Sequence, residues 1–360
     1  MKSVYIHIPF CKDICSYCDF CKLKYNRDWV KKYLETLKEE VLNYYKGEKI
    51  YSIYVGGGTP TILNADELNM LFDIINIFDL SESAEFTVEC NVESLTKEKL
   101  ILFKKNKVNR LSMGIQTFNE KYLELLNRKH TVEQTFEIME VANIIGFNNI
   151  NLDLMYALPN QTIDMLKKDL EIFMKLNPAH ISCYSLMIEP NTTLYIDKTK
   201  NIDEEIDLKM YNYIKSTLKD NNYNHYEISN FSRYGRESKH NLVYWSNEYY
   251  YGFGLGASGY LDAYRYDNSK NLTKYLDADF IDKIYKIEQK EKIQYEIMLG
   301  FRKIKGINKE AFYNKYNTHI EEFGKISKLI KEKKLIDDGK NIFISEEWLY
   351  ISNEILIELL

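Results

Sequence analysis

Six short apolar runs, beginning near residues 4, 50, 85, 110, 149 and 181, alternate with stretches whose apolar side chains recur at helical spacing. This rhythm constrains the fold more than any single residue does. Val30, Tyr33, Leu34, Leu37, Val41 and Leu42 make one helical face over 28–45, with Asp28 placed to cap its start. Thr131 and Gln134 make a capping box that opens a helix ending near Gly146. Further helices are expected over 65–78, 96–105 and 162–175, and strands over 50–55, 85–89, 110–115, 149–155 and 181–186. Strand, helix and next strand close as a right-handed crossover, which makes the strands parallel. The fold class is therefore α/β. Six units are too few for the common eight-fold barrel, so an open, partial parallel β/α barrel is expected, with an open doubly wound sheet as the alternative.

Past residue 200 the pattern changes. Residues 203–220 read as a helix, 223–228 as a strand, and 229–275 are rich in Gly, Asn and Tyr. From 289 onward short helices (289–302, 308–316, 320–333), a β-like stretch at 340–344 and a last helix from Glu346 give a winged-helix-like pattern. Three regions follow: a barrel domain over 1–200, a connecting region over 201–288 and a small C-terminal domain over 289–360.

Cys11, Cys15 and Cys18 fall within eight residues, directly after the first strand-like run. Thiolates that close can converge on one soft metal centre, whether zinc, copper(I) or an iron–sulfur cluster. A cubane has four irons, so three cysteines leave one iron open, much as a catalytic zinc keeps one position for water or substrate. Cys21 could instead close a four-thiolate zinc site. A disulfide framework fits poorly, because the chain is long and its cysteines are clustered. The N-terminal apolar run is too short for a secretion signal, and no run of about 18 uncharged apolar residues occurs. Reduced thiols then fit a cytoplasmic location. A net charge of -5 disfavours a general nucleic-acid binder.

The segment YIHIPFCKDICSYCDF, with Tyr17 just before the third cysteine, resembles the cluster loop of radical S-adenosylmethionine (SAM) enzymes. It is most similar to the branch that holds oxygen-independent coproporphyrinogen III dehydrogenase and the HemW-type haem chaperones. The resemblance implies that Cys11, Cys15 and Cys18 hold a [4Fe–4S] cluster and that SAM occupies the open iron. It also implies that an electron from the cluster can split SAM to a 5′-deoxyadenosyl radical, the cofactor carrying the hard chemistry.

In parallel α/β barrels the working residues sit where strands end, and each further candidate falls there. The glycines of Gly56-Gly57-Gly58-Thr59-Pro60 permit close backbone approach, or simply a tight strand-to-helix turn. No Lys-Ser/Thr follows, so this is not a P-loop. Glu89 ends the third strand, and Gln116 and Arg128 belong to RLSMGIQTFNEKYLELLNR, which is similar to the corresponding segment of the family. Asp153 lies among apolar residues, where an unpaired carboxylate is costly. The resemblance gives Gly57, Gly58, Thr59, Glu89, Gln116, Arg128 and Asp153 to SAM binding, with Tyr5 and Tyr17 nearby. Taken alone, Glu89 and Arg128 read as solvated charges and Asp153 as half of a salt bridge. Cys90, Cys183, His7 and His180 read as core or barrel-wall residues.

Three features separate the two branches. Ten residues precede Cys11, where the dehydrogenase carries a longer extension that helps cover its substrate. Phe20 stands where the dehydrogenase has a further cysteine. His240-Asn241-Leu242-Val243-Tyr244-Trp245 matches the HNxxYW signature of the chaperones, in which His240 offers an imidazole to haem iron and Tyr244 and Trp245 flat faces to a porphyrin. The expectation is a chaperone with haem as cargo, respiratory haem proteins as recipients and an electron donor such as flavodoxin or ferredoxin. Peripheral contact with a membrane and a homodimer are both compatible with it. Weak or absent SAM cleavage goes with this reading, and oxidative decarboxylation of coproporphyrinogen III is the alternative.

Overall fold

The computed structural model describes residues 2–359; Met1 and Leu360, the outer ends of the expected first and last domains, lie outside the described residues. One twelve-stranded sheet dominates. Its strands are β1 (Lys2–Ile8), β2 (Ile50–Gly57), β3 (Leu80–Cys90), β4 (Arg110–Gln116), β5 (Ile150–Tyr156), β6 (His180–Ser185), β7 (Asn224–Glu227), β8 (Asn230–Ser232), β9 (Tyr250–Phe253), β10 (Ser258–Leu261), β11 (Tyr264–Asn268) and β12 (Ile281–Lys286). Strands β1 to β6 lie side by side in chain order, all parallel. β9 joins the free side of β1, also in parallel, with Ser3 opposite Tyr250 and Ile6 opposite Phe253. β10, β11 and β12 extend that side and β8 and β7 the other, all antiparallel. The outermost strands, β12 and β7, do not pair with each other. The result is an open, partial barrel.

Alternation along the parallel strands decides what the barrel encloses. Val4, Ile6, Ile53, Val55, Phe86, Val88, Leu111, Met113, Leu152 and Leu154 are buried in the main apolar core. The intervening residues are polar: Ser3, Ser52, Thr87, Arg110, Ser112, Asn151 and His180 are all buried. They bond to one another across strands, as in Ser52 Oγ to Ser3 Oγ at 2.8 Å and Asn151 Nδ2 to Ser112 Oγ at 2.8 Å. A barrel lumen lined this way is a place for a polar ligand rather than a packed hydrophobic centre.

Local signals set most element ends. The capping box of Thr131 and Gln134 opens the helix Val132–Ile145, and Gly146 closes it at φ 98°. The first helix runs over Arg27–Tyr44 and is capped by Asn26, not Asp28, because the Asn26 side chain accepts from the amides of Asp28 and Trp29. Leu42, expected on the buried face, is exposed.

Residues 201–288, expected as a connecting region, are built into the sheet and share its core as far as Phe280. The pairing of β9 with β1 unites opposite ends of the barrel segment, and no local rhythm announces it. The C-terminal region has a separate core around Ile297, Phe301, Phe312, Leu329, Leu335 and Ile342. A three-stranded antiparallel sheet (Ile307–Asn308, Asn341–Ile344, Leu335–Asp337) forms part of it.

Candidate functional site

The cysteine loop follows β1 and is tied down on all sides. Leu23 N donates to Pro9 O (2.7 Å) and Tyr25 N to Cys11 O (2.9 Å), closing the loop at its base. Ser16 N reaches Leu126 O (3.2 Å), and Asn127 Nδ2 reaches Ile14 O (2.8 Å). Inside the barrel His7 Nε2 lies 2.7 Å from Cys21 O while its Nδ1 lies 2.9 Å from Tyr5 Oη. The carbonyl can only accept, so Nε2 carries the proton and Tyr5 donates to Nδ1. Burial holds the His7 pKa down at about 4, so the ring stays neutral and keeps this pattern.

Cys11, Cys15 and Cys18 line one cavity of about 480 Å³ at the ends of the parallel strands. Tyr17, Gly57, Gly58, Thr59, Glu89, Gln116, Arg128 and Asp153 share its wall. Thus eight of the nine expected SAM-site residues meet in one place with the three cysteines. Tyr5 does not; its ring stacks on Tyr54, centroids 6.2 Å apart, and Tyr54 is the residue on the wall. Cys21 is also off the wall and sits against Gly256, where an added Cβ would meet its Sγ at 3.2 Å. Cys90 and Cys183 both belong to the core, as expected, and Cys90 also touches the wall, its thiol donating to Val88 O.

The glycine turn has a clear steric cause. A Cβ on Gly56 would meet the Glu89 carboxylate at 2.6–2.8 Å, and one on Gly57 (φ +111°) would meet the His7 ring at 2.3 Å. These glycines let the turn press against Glu89 and the cysteine loop, while Gly57 N donates to Glu89 Oε2 at 2.9 Å. Tyr54 Oη donates to Glu89 Oε1 at 2.8 Å. Burial nevertheless outweighs both bonds and pushes the Glu89 carboxyl up to about 7. Asp153 is likewise raised by burial, against hydrogen bonds from Asn151 (2.7 Å to Oδ1) and Ser182.

Arg128 ties the loop to the barrel. It donates to Asn91 Oδ1 (3.0 Å) and Gly114 O, pairs with Glu93 (3.3 Å) and reaches Cys15 Sγ at 3.8 Å. Gln116, at a break in the β4 register, holds φ 71° and accepts from Tyr184 Oη at 3.1 Å. Backbone strain of this kind persists where the surroundings impose it. Here Asp169 does so, accepting from Thr117 Oγ1 (2.7 Å) and Phe118 N (2.8 Å) just beyond.

Tyr54, Asn91, Arg110, Ser112, Asn151 and Tyr184 also line the cavity, and motif reading did not find them. A signal existed. Side chains alternate along a strand, so Gln116 on the wall marks Gly114, Ser112 and Arg110, and Asp153 marks Asn151.

His240 lies elsewhere than expected. The helix Lys239–Trp245 crosses the ends at which the strands begin, its first amides donating to the Glu85 carboxylate (Lys239 N 3.1 Å, His240 N 3.0 Å). The His240 ring is 1% exposed, with Nδ1 2.9 Å from Ser52 Oγ and Nε2 2.8 Å from Tyr244 Oη. Both ring nitrogens are occupied, so neither offers iron a lone pair in this arrangement. The expected haem ligand is therefore corrected to a buried tie between the helix and β2. Its neighbour Asn241 does reach the cavity.

The sequence profile described as the Radical SAM superfamily matches residues 5–173. The heme chaperone HemW of Lactococcus lactis subsp. lactis is 40% identical over 98% of this chain and 96% of its own length. HemW of Bacillus subtilis is 39% identical, over 99% and 98%. The chain belongs to the HemW branch of the radical SAM superfamily. The solved structure of coproporphyrinogen III oxidase (HemN) from Escherichia coli, a radical SAM enzyme, shares the fold, with a TM-score of 0.87, 22% identity and coverage of 99% of this chain and 89% of that one.

Radical SAM membership implies a [4Fe–4S] cluster and SAM, and the residues present fit both. A cubane presents its irons at separate corners and spreads its thiolates wider than a single ion would. Three thiols line the cavity, yet among the described residues no three His, Cys, Asp or Glu groups are close enough to hold a metal ion. Burial pushes the Cys11 thiol up to about 11, so metal binding must displace its proton. Lys22 near Cys11 and Cys18 works against that burial and favours their thiolate forms. A cluster held there would supply one-electron chemistry beside SAM. The chain's own residues hold the loop, orient groups at the strand ends and shield them from water. Among the described residues no helix is long and apolar enough to cross a membrane.

Proposed function

We infer that this chain is a haem chaperone of the HemW type, holding haem beside its cluster and delivering it to respiratory haem proteins. The observation that carries this reading is identity of 40% and 39%, over nearly the whole chain, with relatives named heme chaperones. The cavity mouth supports it: Phe20 and Met187 line the site and are 66% and 70% exposed, an apolar lip suited to the flat face of a porphyrin. In this reading Cys11, Cys15 and Cys18 hold the cluster, and Tyr17, Gly57, Gly58, Thr59, Glu89, Gln116, Arg128 and Asp153 hold SAM. Tyr5 acts through Tyr54, on which its ring stacks. The protein works in the cytoplasm, with flavodoxin or ferredoxin as electron donor.

Titrating haem into anaerobically reconstituted protein tests the reading. The expected result is a saturable Soret change near one haem per chain, reversed when an apo-haem protein is added. No saturable binding, together with SAM-dependent anaerobic turnover of coproporphyrinogen III to protoporphyrinogen, overturns it in favour of the dehydrogenase.

A further inference from the structure

The loop carries four cysteines at close spacing, Cys11, Cys15, Cys18 and Cys21, yet only the first three line the cavity. Four thiolates are the ordinary ligand set of a [4Fe–4S] cluster. A thiol three residues beyond the third ligand is therefore a competitor for any position the other three leave free. Its tether gives it an effective concentration on the order of millimolar.

Two contacts hold Cys21 back. His7 Nε2 donates to its carbonyl at 2.7 Å. Its side chain rests on Gly256, at φ +69°, where an added Cβ would meet Cys21 Cβ at 3.0 Å and Sγ at 3.2 Å. Only a residue without a side chain leaves that seat empty.

The turn that carries Gly256 is firmly held. It joins β9 to β10, with Gly256 N donating to Ser269 O (2.8 Å), Ala257 N to Gly254 O (3.1 Å) and Leu255 N to Tyr33 Oη (2.9 Å). Gly254, at φ +100°, lies so close to the end of β1 that an added Cβ would meet His7 O at 2.6 Å. Tyr33 Oη donates to that same carbonyl at 2.6 Å. The parallel pairing of β9 with β1, Ile6 opposite Phe253, brings the turn and the cysteine loop out of the barrel side by side.

We propose that Gly256, by seating Cys21, keeps the loop a three-thiolate site and so preserves the open position at which SAM binds. The proposal rests on family membership alone and stands whether or not haem is the cargo.

The test compares four cluster-reconstituted proteins: wild type, Cys21→Ala, Gly256→Asn and the double variant. Asn tolerates the left-handed backbone that Gly256 adopts, so it fills the seat with little strain of its own. SAM affinity is read by equilibrium binding, and iron release by dilution into chelator. Gly256→Asn is expected to bind SAM at least about tenfold more weakly and to release iron no faster than wild type, because the displaced thiol adds a ligand. Adding Cys21→Ala to it restores wild-type SAM affinity, and Cys21→Ala alone binds SAM as wild type does. Unchanged SAM affinity in Gly256→Asn overturns the proposal. So does a loss that Cys21→Ala fails to restore, which, with faster iron release, marks a loosened loop instead of a competing thiol. Wild type that binds no SAM, or binds it only once Cys21 is replaced, overturns it too. Should Gly256→Asn lose its far-ultraviolet circular dichroism, Gly256→Ala, whose Cβ meets the same two atoms, replaces it under the same criteria.

Discussion

Replacing His240 with Ala separates a structural imidazole from an iron ligand. The ring is buried and bonded to Ser52 and Tyr244 at 2.9 and 2.8 Å. Losing two hydrogen bonds costs about 1 kcal/mol each, and the space left by the ring costs about 2 kcal/mol more. The sum, about 4 kcal/mol, is a large share of the roughly 5–15 kcal/mol that holds a typical domain folded. Urea unfolding followed by far-ultraviolet circular dichroism should show this loss. Haem affinity, measured well below the melting temperature, should stay within about twofold, since no nitrogen of His240 faces the cavity. The opposite pattern would refute the reasoning: stability within about 0.5 kcal/mol of wild type, with haem affinity reduced at least tenfold. The helix would then have to leave the barrel floor in solution to expose the imidazole.

Cys15→Ala should strip most of the iron from anaerobically reconstituted protein, while Cys21→Ala should leave it unchanged, because Cys21 lies off the cavity wall; iron analysis decides, and equal losses would return Cys21 to the ligand set. Glu40, buried where it accepts from Gly254, Asn268 and Tyr275, is pushed by burial up from 4.5 to about 7. Its folded form keeps a proton that the unfolded chain releases, so the stability it contributes is full below pH 4.5 and about 3 kcal/mol is lost by pH 7. Glu40→Gln should flatten that fall in a pH series of urea unfolding curves; parallel curves would count against it. Arg128→Met, which breaks the ties to Asn91, Gly114, Glu93 and Cys15, should cost about 3 kcal/mol and lower iron retention on dilution into chelator.

How much was legible in advance follows the range of the interactions involved. The cysteine spacing, the Thr131–Gln134 box and the alternation of six apolar runs are short-range signals, and each forms where the residues indicate. Strand ends were legible too, because a parallel barrel gathers them on one rim; hence Glu89, Gln116 and Asp153 meet the cysteines. HNxxYW misled in one respect. The motif marks a helix, but whether its histidine faces a ligand or the strands depends on Ser52 and Glu85, far away in sequence. Tyr54, the partner of Tyr5 on the neighbouring strand, reaching the wall in place of Tyr5 is a similar case.

By itself, the sequence determined the α/β rhythm, the helix caps and a soft-metal loop, since these depend on residues a few positions apart. Only the tertiary structure decided that β9 closes onto β1, that Asn241 and the buried Arg110 both reach the cavity, and that Cys21 turns away. The reason is physical. Hydrogen-bond pairing between distant strands and the burial of a charge are properties of the assembled barrel, and no stretch of chain specifies them until its neighbours in space are fixed.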